Sequence, residues 1–128
     1  MKVSELTGAQ LDYWVARAEG KVSDYTEWLR GYASFWRPSN TWSVAGPIIE
    51  RERINIVDRA AYLASQGRPK EAGEGKFAAL IGSPEQLVQS YFSEYTGLEF
   101  EACQLGPTPL VAAMRAYVAS KFGEEVPE

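Results

Sequence analysis

A short aromatic and polar segment, residues 35–50, carries the residue types that ligand binding needs. It places Trp36 and Trp42 on either side of Arg37 and the polar run Ser39-Asn40-Thr41. A tryptophan face offers a large area for stacking, and a guanidinium matches two oxygens of a phosphate or carboxylate. Two prolines restrict the backbone, so the segment is expected to be stiff. The combination suits a planar anionic ligand such as a nucleotide.

The same residues also have a purely structural interpretation. Trp36 and Trp42 can each fill the core, which is the commoner fate of a tryptophan. Ser39-Asn40 can cap a turn or the next helix, whereas the two interpretations stay balanced for Arg37. The run Glu50-Arg51-Glu52-Arg53 is typical of a charged helix face. Because Glu50 directly follows two isoleucines, an alternative hypothesis is that it turns inward and pairs with Arg37 or Arg115.

A second segment, residues 106–115, predicts a helix start. Thr108 precedes a proline, and the free N–H groups of a helix start attract anions. Arg115 lies about two turns further along, among alanines. An ordinary threonine cap and a surface arginine paired with a glutamate explain the same residues. The candidate ligand-binding residues are Trp36, Arg37, Ser39, Asn40, Trp42, Glu50, Thr108 and Arg115.

The sequence argues against catalysis. It contains no histidine and one cysteine, Cys103, which is expected to be an inert thiol in a reducing compartment. Histidine-dependent triads are therefore excluded, and a zinc site would need carboxylates alone. No acidic cluster resembles a metal or glycosidase signature. We expect no catalytic residue, no metal and no cofactor.

Net charge and hydropathy restrict the partners. The formal charge is −4, and the arginines and lysines of residues 51–70 alternate with acidic side chains. Such a balance offers no broad basic face, so nucleic acid is not an expected partner. The apolar runs are too short to span a bilayer and the first residues do not form a signal peptide. The expected location is the cytoplasm.

Local patterns predict a mixture of helices and strands. Thr7 and Gln10 predict a capping box for a first helix, which ends at Gly20. Residues 21–34 fit either a helix or an extended chain. Pro47 predicts the first position of a helix through Arg53. The other predicted elements are an edge strand 2–4, strands 54–57, 76–81 and 98–103, a helix 59–65 capped by Asp58, a loop 66–75, a helix from Ser83 to Gly97, and a helix from Thr108 to Gly123. The expected class is α+β: one small domain, 1–128, with a short, mostly antiparallel sheet packed by three to five helices.

Three parts of the sequence carry a family resemblance. Met1–Gly8, then Arg37-Pro38-Ser39 with Trp42 and Gly46–Glu52, and finally Pro109–Val118 resemble the NinX-like family of small phage and prophage proteins. The resemblance implies a bacteriophage accessory protein and supplies no biochemical activity.

Two functions follow as hypotheses. In the first, a rigid pocket between segments 35–50 and 106–115 binds and sequesters a small anionic, nucleotide-derived signalling molecule of host defence, a purpose that the family setting suggests. In the second, the aromatic segment and the alanine-lined helix dock on a host or phage protein. An enzyme such as a nuclease or phosphodiesterase ranks last. A homo-oligomer is compatible with either binding function.

Overall fold

The computed structural model describes residues 1–81 and 102–127. Its α-helices are α1 (Gly8–Ala18), α2 (Tyr25–Gly31), α3 (Trp42–Glu52), α4 (Arg59–Ser65) and α5 (Pro109–Phe122). Its strands are β1 (Asn55–Asp58), β2 (Phe77–Ile81) and β3 (Ala102–Gly106). Two short 3-10 helices span Val3–Glu5 and Pro69–Ala72.

The sheet is antiparallel, with β2 between β1 and β3. Ile56 pairs with Ala79 across β1 and β2, and Leu80 pairs with Cys103 across β2 and β3. The predicted α+β class, with a short antiparallel sheet and helices packed around it, is confirmed. The predicted helix 83–97 and the first part of strand 98–103 lie outside the described residues.

Helix α5 is the centre of the packing. Its side chains are buried on nearly all sides, including Leu110, Met114, Tyr117 and Val118. It lies against β2 and β3 on one side and against α1 on another. A helix that is apolar all round must be covered by other elements, and here the sheet and α1 provide the cover. Arg115 is therefore inside the protein rather than on its surface.

The capping predictions have mixed outcomes. Asp58 accepts a hydrogen bond from the Ala61 amide at 2.9 Å, and Thr108 accepts one from the Val111 amide at 3.2 Å, as predicted. Thr7 occupies the N-cap position of α1, but its side chain forms no capping bond, so the predicted capping box is wrong. Gly20 adopts a φ of +73° just after α1, as expected of a terminating glycine.

Three other local predictions need correction. Helix α3 begins at Trp42 rather than at Pro47, which lies inside it. The amides of Val44 and Ala45 donate to the Thr41 carbonyl, so the helix is established before the proline is reached. The predicted edge strand 2–4 is mostly a 3-10 helix, with a single bridge between Lys2 and Glu125. The loop 66–75 contains a 3-10 turn. The open choice for residues 21–34 resolves as the helix α2.

No helix in residues 1–81 and 102–127 is long and apolar enough to cross a membrane.

Candidate functional site

Trp36 packs in an aromatic cluster behind helix α2. Its ring meets Trp28 edge-on at 6.4 Å between centroids and Tyr32 at 6.3 Å. Lys21 places its ammonium 5.7 Å from the same ring. Trp28 is almost fully buried, and Trp36 is half-buried against it. These contacts fit the structural interpretation of Trp36.

Ser39 holds its segment to helix α1. Its backbone amide donates to the Asp12 carboxylate at 2.8 Å, and both residues are buried. Burial raises the pKa of the Asp12 carboxyl, although the Ser39 hydrogen bonds and the charge of Arg37 lower it in part. The guanidinium of Arg37 is exposed. Arg37-Pro38-Ser39 is therefore tied to the core at its serine and open to solvent at its arginine.

The remaining candidates of the first segment are exposed. Asn40 accepts a hydrogen bond from the Thr41 hydroxyl at 3.0 Å, and Trp42 is 57% exposed at the start of α3. Glu50 is exposed as well, and within the described ranges it forms no ion pair with Arg37 or Arg115. The hypothesis of an inward pairing of Glu50 is wrong because Arg115 finds its partners elsewhere.

Arg115 is buried beside the beginning of the chain. Its Nε donates to the Leu6 carbonyl at 2.9 Å and its Nη1 to the Leu105 carbonyl at 2.8 Å. Burial lowers the pKa of its guanidinium, and the nearby charge of Glu74 opposes this. The interpretation of Arg115 as a surface arginine is wrong. It lines a cavity to which neither segment 35–50 nor Thr108 contributes a residue. The structure thus does not bring the predicted segments together at that cavity.

A different cavity, of about 560 Å³, has the chemistry that was expected of segment 35–50. Its aromatic walls are Tyr13 and Trp14 from α1, Tyr25 from α2 and Phe122 from α5. Tyr13 meets Tyr25 edge-on at 5.3 Å between centroids, and Trp14 meets Phe122 at 5.4 Å. We call this space the aromatic cavity. The rings fix each other, so the walls are formed without a ligand.

Arg17 supplies the charge of the aromatic cavity. Its Nη1 donates to the Tyr13 hydroxyl at 2.7 Å, and its guanidinium carbon lies 5.1 Å from the centroid of the Trp14 ring. Within residues 1–81 and 102–127, Arg17 forms no ion pair. The nine lining residues include no aspartate or glutamate. The aromatic cavity therefore presents planar faces beside a cation that has no counterion among the residues the structure describes.

Sequence reasoning missed this site although a signal was present. Gln10, Trp14 and Arg17 follow the spacing of one helical face, with polar ends around a tryptophan. The tryptophan in that stripe is equally typical of the buried face of a helix, so the spacing alone does not distinguish a binding site from core packing. Tyr25 and Phe122 come from distant parts of the chain, and local patterns could not place them beside Trp14.

The described residues contain no group of histidine, cysteine, aspartate or glutamate side chains that could hold a metal ion.

The chain matches a known protein family. A profile of the family described as "Bacteriophage P22, NinX" matches residues 2–88 of the chain. The chain belongs to the NinX family. It is therefore a phage protein, and the expected resemblance to this family is confirmed. The third segment of that resemblance, Pro109–Val118, lies outside the matched residues. No curated protein sequence matches the chain.

The NinX match covers most of the aromatic cavity. Gln10, Tyr13, Trp14, Arg17 and Tyr25 all lie inside residues 2–88, whereas Phe122 lies beyond them. The part of the chain that defines the family thus supplies the arginine and three of the four aromatic walls.

Proposed function

We propose that this NinX-family phage protein binds, without turnover, a small anionic molecule derived from a nucleotide, and that it does so in the aromatic cavity. The observation that carries this proposal is the position of Arg17, a cation without a counterion in the described chain, on a cavity walled by aromatic rings. An aromatic base and a phosphate are the complementary groups.

The size of the aromatic cavity suits such a ligand. Its volume of about 560 Å³ lies in the range of small-molecule sites, roughly 300–1,000 Å³. Tyr13 and Trp14 are more than nine-tenths buried, whereas Tyr25 is half exposed. A planar group can therefore enter past Tyr25 and rest against the fixed rings of α1. Their fixed positions reduce the conformational entropy that binding would cost.

Charge and hydrogen bonding favour an anion in the same place. The Tyr13 hydroxyl accepts the Arg17 bond and keeps its own hydrogen for another acceptor. Gln10 adds an amide to the lining. The guanidinium already lies in a fixed orientation on Trp14, so it can meet two oxygens of a phosphate without reorganising.

Sequestration is the purpose that fits a phage protein of this kind. A protein that removes a signalling molecule of host defence needs tight binding and no catalytic group. The chain contains no histidine, the commonest general acid or base at neutral pH. A cytoplasmic location in the infected host follows from this role and is part of the proposal, as is the absence of an enzymatic activity.

The test measures thermal stability against a panel of nucleotides, dinucleotides and cyclic nucleotides. A ligand at one hundred times its dissociation constant adds about 2.7 kcal/mol to the free energy of unfolding. Wild-type protein should show such a shift with at least one member of the panel. Arg17→Met should abolish it, because the substitution removes the charge and keeps an unbranched side chain.

Arg30→Met is the matched control, since Arg30 is an exposed arginine in the last turn of α2 and does not line the aromatic cavity. It should respond as wild type does. The absence of any shift in wild-type protein, or an undiminished shift in Arg17→Met, would contradict the proposal.

A second candidate function is docking on a protein partner. Leu29, Phe35 and Trp42 are 55%, 65% and 57% exposed, and aromatic residues are enriched at the centres of interfaces. The partner is a host or phage protein or a second copy of this chain. Phe35→Ser with Trp42→Ser should abolish capture of a partner from host lysate, or dimerisation in sedimentation, and leave any nucleotide response intact.

A further inference from the structure

A second cavity of about 600 Å³ lies beside Arg115 and differs in chemistry from the aromatic cavity. Among the described residues, no aromatic side chain lines it. Its lining includes the buried side chains of Gln104 and Arg115 and the exposed side chains of Lys2 and of Glu74, Glu124 and Glu125. We call it the polar cavity.

Arg115 places a buried positive charge in the wall of the polar cavity. Its side chain is only 8% exposed, and within the described ranges it forms no ion pair. A guanidinium has five N–H donors, and the carbonyls of Leu6 and Leu105 each take one. Two backbone carbonyls and the nearby charge of Glu74 compensate this buried charge only in part, so an anion that reached the remaining donors would be favoured.

Gln104 adds a second polar group to the polar cavity. It is 9% exposed and lines the same cavity, and its side-chain amide forms no hydrogen bond to any residue that the structure describes. The amide is not among the fully enclosed side-chain groups that lack a partner, so it is in contact with the solvent of the cavity. Its two donors and its acceptor are therefore available to a molecule that enters the polar cavity.

The rim restricts which anion can bind. The rim contains three carboxylates, those of Glu74, Glu124 and Glu125, and one further cation, Lys2. They would repel a bare polyanion. They can accept hydrogen bonds from hydroxyl groups, because an ionised carboxylate is an acceptor only. A ligand with one anionic group for Arg115 and several hydroxyls for the rim satisfies both ends.

We propose that the polar cavity is a second binding site, for a small polyhydroxylated molecule with one phosphate group, such as a sugar phosphate. Arg115 and Gln104 bind the phosphate, and the rim carboxylates bind the hydroxyls. The site goes beyond the nucleotide site proposed above, and the N-terminal segment separates the two. Leu6 lines the aromatic cavity, and its carbonyl accepts the Arg115 bond.

The test titrates the full chain with ribose 5-phosphate, with ribose and with inorganic phosphate, by calorimetry and NMR. Wild-type protein should bind ribose 5-phosphate more tightly than either fragment. Gln104→Met removes the amide at nearly constant volume and should weaken binding at least tenfold while the melting temperature stays the same or rises. Arg115→Lys should weaken the binding of ribose 5-phosphate further. If that variant fails to fold, the result with Gln104→Met alone tests the proposal.

Arg17→Met separates the two proposals, because it leaves the polar cavity unchanged and should bind ribose 5-phosphate as wild type does. Failure of wild-type protein to bind the probe at millimolar concentration would overturn the second site and leave the aromatic cavity unaffected. Equal affinity for inorganic phosphate, or unchanged affinity in Gln104→Met, would overturn it too.

Discussion

Asp12 and Ser39 are joined by a buried hydrogen bond in which the Ser39 amide donates to the Asp12 carboxylate at 2.8 Å. The bond connects positions 27 residues apart and fastens the segment after α2 to the first helix. Two opposing effects act on the pKa of Asp12. Burial raises this pKa, whereas the Ser39 hydrogen bonds and the charge of Arg37 lower it in part.

Replacing Asp12 by asparagine should therefore be tolerated. The folded-state pKa of Asp12 is raised above its ordinary 3.8, so its contribution to stability is full below 3.8 and is lost as pH rises through the folded pKa. Asp12→Asn keeps an acceptor for Ser39 and removes the buried charge. At neutral pH its free energy of unfolding should equal or exceed that of wild type, as urea denaturation would show.

Asp12→Ala is the contrasting variant, because it leaves the buried Ser39 amide without its acceptor. That loss should cost about 1–3 kcal/mol. An Asp12→Asn protein as unstable as Asp12→Ala would contradict the assignment of Asp12 as a backbone acceptor.

A second prediction concerns the ion pair of Glu19 and Arg51, which are 2.5 Å apart. The Tyr117 hydroxyl also donates to Glu19 and accepts from Arg51. Burial raises the pKa of Glu19, but the hydrogen bonds from Arg51 and Tyr117 outweigh it, so the net pKa falls below 4.5. The stabilisation from Glu19 is thus present above pH 4.5 and is lost as pH falls through the folded pKa.

As pH falls below 4.5, Glu19→Gln should accordingly lose less stability than wild-type protein does. Tyr117→Phe should do the same to a smaller extent and should lower stability at neutral pH by about 1 kcal/mol, the usual net value of a hydrogen bond. Melting temperatures recorded against pH would test both variants. Parallel pH profiles for wild type and Glu19→Gln would count against this network.

Two threonines at helix starts should respond differently to alanine. Thr108 accepts a capping bond from Val111, whereas Thr7 occupies the same position of α1 without one. Thr108→Ala should lower the free energy of unfolding by about 1 kcal/mol, and Thr7→Ala by much less. Chemical denaturation of the two variants is a direct comparison, and equal losses would refute the distinction between the two caps.

A side chain at position 106 should destabilise the protein. A Cβ there would lie 2.6 Å from the Ala112 nitrogen and 3.0 Å from its Cα, so the strand and α5 would have to separate. We expect Gly106→Ala to cost about 1–3 kcal/mol. Gly31→Ala is the control, since a Cβ at the end of α2 meets nothing within 4 Å and should be neutral or stabilising by up to ~1 kcal/mol. A neutral Gly106→Ala would show that β3 and α5 can move apart freely.

Local chemistry predicted the parts of the fold that depend on a few neighbouring residues. The caps at Asp58 and Thr108 and the terminating Gly20 depend on hydrogen bonds or φ angles within one turn. Helix α3 shows the limit of such rules. Proline at a helix start is a common signal, but packing of Ala45 and Ile48 favours a helix that already began at Trp42.

The candidate sites depend on contacts that no local pattern contains. Arg115 lines a cavity, but not one shared with segment 35–50 as predicted, and its bond to the Leu6 carbonyl spans 109 positions. The aromatic cavity combines Trp14 with Tyr25 and Phe122. The sequence predicted an aromatic and arginine site in segment 35–50, whereas the aromatic cavity contains none of the predicted residues and becomes visible only in the tertiary structure.

The four tryptophans occupy distinct surroundings, so they should fluoresce at different wavelengths. Trp28 is 1% exposed, and its indole N–H has no partner among the described residues, so its emission should be strongly blue-shifted. Trp42, 57% exposed, should emit at the red end, and Trp14 forms a wall of the aromatic cavity. A compound that quenches the nearest tryptophan should remove emission at the wavelength of that tryptophan. The wavelength of the lost emission should therefore indicate where the compound binds.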